Sequence, residues 1–174
     1  MSQELFQKID KCIERLSNYA SIIASFLLIL TTALIFIEVI SRNFFHFSIY
    51  IADEYSGYML IGIVFLGSAF SFRNEGFIAI ELFYNRMPTK IKSFMNIVVC
   101  GISLVYLFIL FWNFQKFTFQ SYKFNITSEY ITRTPMFIPH SLMAIGAILL
   151  IFEVGIYLIK SFKQLRDNKI NKEI

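Results

Sequence analysis

Two stretches of this chain, Tyr55–Phe72 and Phe94–Phe114, run for the length of a helix without one charged residue. A soluble helix buries only a stripe and turns a polar face to water. These two have no such face, so a water-soluble bundle is excluded on pattern. Two further stretches, Tyr19–Ile40 and Phe137–Ile159, are nearly as apolar, each holding a single acid, Glu38 or Glu153. About 20 mostly apolar residues cross about 30 Å of hydrocarbon, and all four stretches fall in that range. Charged residues make up 16% of the chain, against about 25% in an ordinary soluble domain. A chain of 174 residues with four such runs has little left outside a bilayer. The expected fold is an all-α integral membrane protein, a single membrane domain of four transmembrane helices at about 19–40, 55–72, 94–114 and 137–159.

The basic residues orient it. Lys8, Lys11 and Arg15 precede the first span, Arg73, Arg86, Lys90 and Lys92 lie in the second loop, and Lys160, Lys163, Arg166, Lys169 and Lys172 lie in the tail. Only Arg42, Lys116, Lys123 and Arg133 fall on the other side. Lys and Arg favour cytoplasmic loops, so both termini are expected in the cytoplasm. The net charge of +4 is then a topology signal, spread along membrane edges, and not a nucleic-acid surface. No small-residue cleavage site follows the first apolar run, which is expected to stay as an uncleaved anchor. Cys12 and Cys100 fall in different environments and do not read as a disulfide.

Two amphipathic segments are expected on the membrane surface. Leu5, Ile9, Cys12, Ile13 and Leu16 share a face of residues 1–18, with charges around the remainder. Phe77, Ile80, Tyr84, Met87 and Ile91 recur at helical spacing in the second loop, where Pro88 kinks or divides the helix. The third loop, Gln115–Met136, is the longest outer segment and is rich in aromatic residues that suit a headgroup belt. Pro135 and Pro139 flank the start of the fourth helix, where proline costs least.

Catalytic chemistry finds little support. His46 and His140 lie toward the same membrane face, and no nucleophile-elbow, phosphate-loop or HExxH pattern occurs; no cofactor or metal is expected. Ionisable residues inside hydrocarbon are the functional candidates. Glu38 and Arg42 stand four apart on one helix face, as an ion pair or a contact to another subunit. Glu153 lies about two turns inside the end of the fourth span, within reach of Arg73 if that guanidinium snorkels. Exchanging the charges at 73 and 153 together is then expected to restore assembly lost in either single change. Asp53 and Glu54 open the second span from outside, where one acid suits the helix dipole. The other is available to Arg42 or to a partner. Arg133, in the outer loop, is a further candidate contact. Gly57, Gly62 and Gly67 are expected to let helices approach closely.

These residues together resemble a known family, the small membrane subunit (DctQ-like) of tripartite ATP-independent periplasmic (TRAP) transporters. The resemblance rests on EVISRNFF at 38–45, DEY at 53–55, FLGSAFSFRNEG at 65–76 running on to Met87-Pro88, and TPMFIPHSLMAIG at 134–146. It departs at Phe77, where the family usually has histidine, at Glu81, which matches the family's aspartate loosely, and at Ile145 in place of proline. The resemblance implies a sodium-driven importer of an organic acid such as a C4-dicarboxylate, sialic acid or another sugar acid. A periplasmic substrate-binding protein captures the acid, and a large membrane permease subunit moves it. The present chain would be a scaffold in the bacterial inner membrane, holding neither substrate nor sodium. Two other readings stay open on sequence: a stand-alone four-helix proton-coupled transporter, and a membrane electron-transfer subunit.

Overall fold

A computed structural model describes residues 3–47, 50–75 and 89–170. Four helices make up nearly all of it: α1 (Gln3–Phe45), α2 (Tyr50–Glu75), α3 (Thr89–Lys123) and α4 (Phe137–Ile170). Each contains a segment long and apolar enough to cross a membrane. The expected second-loop surface helix, with Phe77 and most of its apolar face, lies outside the described residues.

The helices alternate in direction. The start of α1, the end of α2, the start of α3 and the end of α4 share one end of the bundle, the terminal end. The connections at 46–49 and 124–136 share the far end. α1 packs on α2, α2 on α4 and α4 on α3, and α1 touches α4 over a smaller area.

Residues Ile13, Ser17, Ala20, Ala24, Thr31 and Glu38 of α1 are buried. They repeat at steps of three, four and seven, so one seam of α1 faces inward along its length. Ala20 and Ala24 meet Leu66 of α2, with Leu142 and Leu149 of α4 packed against them. A second cluster joins Cys100 and Leu107 of α3 to Val154 of α4, and Phe72 of α2 closes it. α4 therefore lies in both clusters.

Gly146 makes the closest backbone approach. A Cβ there would sit 2.5 Å from the carbonyl oxygen of Phe65, so only glycine lets α4 lie this near α2. The expected glycine face of α2 divides. Gly62 and Gly67 approach Leu27 and Ala24 of α1, whereas Gly57 meets nothing within 4 Å. A spacing of five residues turns about 140° per step on a 3.6-residue helix, so the three cannot share one face.

The helices overrun the apolar stretches. α1 has 43 residues, about 65 Å at the helical rise, and is unbroken from Gln3. The interfacial helix expected for residues 1–18 therefore runs on into the first span as one helix. The apolar face expected there also divides, since Ile13 turns inward while Leu5, Ile9, Cys12 and Leu16 stay exposed. α3 continues to Lys123, which places Phe117, Phe119 and Tyr122 on its last turns and shortens the expected third loop to 124–136. Asn125 ends it with φ 48°. The Ile126 N–H donates to Ser121 O at 3.0 Å and the Asn125 N–H to Tyr122 O at 3.4 Å, a Schellman cap in which asparagine tolerates the left-handed turn. His46 plays a similar part after α1, at φ 54°.

Candidate functional site

The charged groups gather at the two ends of the bundle, leaving the middle apolar. At the terminal end Arg73 is the hub. It sits in the last turn of α2, where a cation suits the exposed carbonyls, and its side chain is 16% exposed. Its Nη1 donates to Glu153 Oε2 at 2.8 Å and its Nη2 to Asp10 Oδ1 at 2.7 Å. Glu14 lies 3.5 Å from the same Nη2. Lys160 then donates to the other oxygen of Asp10 at 2.8 Å. One guanidinium and one ammonium thus tie α1, α2 and α4 into a single layer. A planar fork of donors suits this junction better than a point charge would.

Arg73 and Glu153 are the two that antiparallel helices were expected to bring together. Asp10, Glu14 and Lys160 were not foreseen. Their signal is helical: Asp10 and Glu14 are four apart and border the inward seam at Ile13 and Ser17, Asp10 half-buried against it and Glu14 exposed at its edge. Glu153 is buried, and its Oε1 has no partner among the described residues; the same holds for the buried Ser17 hydroxyl.

At the far end Arg42 Nη2 donates to Glu38 Oε1 at 2.8 Å, with Nε at 3.3 Å. Glu38 is buried while the Arg42 side chain is 61% exposed, so the arginine reaches outward and leaves its carboxylate inside. α2 begins at Tyr50, and Asp53 lies in its first turn, where an acid was expected to suit the helix dipole. Asp53 is exposed. Glu54 is buried and faces the 124–136 connection. Tyr58 donates to its Oε1 at 2.9 Å, and the Thr132 hydroxyl donates to Oε2. Thr134 stands 3.1 Å from Thr132.

That connection is a small hairpin. Thr127 bridges Pro135, the Ser128 N–H donates to Thr134 O at 2.9 Å, and the Met136 N–H donates to Ile126 O at 3.0 Å. Arg133, exposed and at φ 48°, forms its turn. Glu54 is therefore a clamp on the hairpin and is not available to Arg42. His140 is engaged inside, with Nδ1 3.0 Å from the Ser121 hydroxyl of α3.

A family model described as "Tripartite ATP-independent periplasmic transporters, DctQ component" matches residues 31–166. The chain belongs to this family. It is accordingly a DctQ component of a TRAP transporter, a multi-pass inner-membrane protein whose four long apolar helices fit that assignment. The matched region carries Glu38, Arg42, Glu54, Arg73, Glu153 and Lys160, while Asp10, Glu14 and Ser17 precede it. No curated protein and no solved structure matched the DctQ chain.

Proposed function

We propose that this DctQ component is a rigid membrane scaffold for the large permease subunit of a sodium-driven TRAP importer of an organic acid. A periplasmic binding protein delivers the acid to the permease. Both termini lie in the cytoplasm, in keeping with the excess of Lys and Arg at that end.

The observation that carries this reading is where the polar groups sit. Transport sites near mid-membrane are built from interrupted helices whose free N–H and C=O groups meet the substrate and coupling ion. Here the four helices are continuous. Their buried acids, Glu38, Glu54 and Glu153, lie toward the ends and are engaged by Arg42, by Tyr58 and Thr132, and by Arg73. Between them the core is Ala20, Ala24 and Leu66 on one side and Cys100, Leu107 and Val154 on the other.

Co-expression with the other membrane component tests the scaffold. The two are expected to purify together through detergent extraction and gel filtration. A large subunit that transports normally in cells lacking this chain would overturn it.

A further inference from the structure

Two buried polar atoms have no hydrogen-bond partner among the described residues: the Ser17 hydroxyl of α1 and Oε1 of Glu153 on α4. Their residues are 0% and 3% exposed, so bulk water does not reach them. Protein interiors leave few such atoms unpaired.

Three contacts put the two at one height in the bundle. Asp10 is bridged to Lys160, and α1 and α4 run antiparallel. Seven residues inward from each partner, two helical turns, stand Ser17 and Glu153. A Cβ on Gly67 would lie 3.8 Å from the Cβ of Ala24. Six residues on from that contact, along antiparallel α1 and α2, Arg73 comes level with Asn18, next to Ser17. Gly146 lies against Phe65. Eight residues on, along parallel α2 and α4, Arg73 comes level with Val154, next to Glu153.

The two residues also face each other. Ser17 belongs to the inward row Ile13, Ser17, Ala20 and Ala24. Glu153 stands one turn after Leu149, which packs on Ala20, Ala24 and Leu66, and two turns after Gly146. It therefore continues the row of α4 that meets α1 and α2.

The chemistry of the two atoms selects the occupant. A carboxylate oxygen only accepts, whereas a hydroxyl both donates and accepts. The occupant must donate to Glu153 and can bond Ser17 in either sense. A cation would crowd the Arg73 guanidinium that already holds Oε2 of the same carboxylate. Hard cations also gather about six oxygens, and both oxygens of Asp10 are taken by Arg73 and Lys160. Water meets every condition, since it donates, accepts and settles where polar partners converge in an interior. We infer that Ser17 and Glu153 hold an internal water molecule that joins α1 to α4, two turns inward of the Asp10–Lys160 pair. Arg73 and this water then use both oxygens of Glu153, which a buried ion pair requires to be stable.

A density map of the purified protein, at a resolution that shows water, tests the site. One peak is expected within hydrogen-bonding distance of both Ser17 Oγ and Glu153 Oε1. Infrared spectra in ordinary and heavy-oxygen water identify it. The spectrum of the protein minus that of Ser17→Ala should contain an O–H stretching band that moves to lower frequency in the heavier water. A Ser17 hydroxyl turned onto Glu153 itself, or onto the Ile13 carbonyl, with no peak between, would overturn the site. So would a peak that vanishes when choline replaces sodium and has no isotope-sensitive band, the mark of a cation. The map of the unaltered protein decides the matter even where Ser17→Ala fails to fold.

Discussion

Arg73 faces two acids at hydrogen-bonding distance, and that decides what its loss does. Arg73→Ala would leave Asp10 to Lys160 alone beside Glu14 and leave Glu153 buried without its partner. Breaking a buried pair costs about 3–5 kcal/mol, and the thermal unfolding of the purified protein should report a loss of that order. Glu153→Ala should cost less, because Asp10 still neutralises the guanidinium. Equal losses would mean that Asp10 contributes nothing. The exchange Arg73→Glu with Glu153→Arg, which rescues an isolated pair, is expected to fail, since it sets a third carboxylate against Asp10 and Glu14. Glu54 makes a different prediction. Glu54→Ala should speed amide exchange at Ser128 and Met136, whose N–H groups close the hairpin, and leave exchange in the α1–α2 core unchanged. Unaltered exchange at those two amides would end the clamp assignment. The pairs within one helix or between adjacent ends, Glu38–Arg42 and Arg73–Glu153, were legible in the sequence because helical spacing and span ends suffice to place them. Glu54–Thr132 was not. It joins residues 78 apart through a hairpin whose path depends on left-handed turns at Asn125 and Arg133.

Hydropathy marks the part of a helix that suits hydrocarbon, not where its hydrogen bonding stops. This is why four elements were legible as apolar runs while their ends were not. Tyr50–Glu54 and Gln115–Lys123 are polar enough to read as loop, yet they continue α2 and α3 because the adjoining helix already bears the nucleation cost. The stop at Asn125 was the readable signal, a residue type that suits the position after a helix end. Close packing obeys another logic. Gly146→Ala should destabilise the α2–α4 contact by about 1–3 kcal/mol, because its Cβ meets backbone that has nowhere to move. Gly57→Ala should be neutral or slightly stabilising, since nothing lies within 4 Å. Gly62→Ala falls between, as the near atom is the end of the Leu27 side chain. Thermal unfolding of the three variants checks the order; a Gly57 change as harmful as the Gly146 change would contradict it.

Across the whole molecule, an apolar middle separates two polar layers. The Arg73 layer ties α1, α2 and α4 at one end, and the Glu54 clamp fixes the hairpin between α3 and α4 at the other. Among the described residues the helices are held at both ends and continuous between, with no broken segment to rock or unwind, which suits a platform that stays still while another subunit moves. Sodium-dependent uptake in proteoliposomes measures this most directly. Vesicles carry this chain alone, the large subunit alone, or both, with the cognate binding protein and its radiolabelled ligand outside. The scaffold account expects ligand uptake only from the pair and none from this chain alone. Uptake by this chain alone, or full uptake by the large subunit without it, would contradict the account.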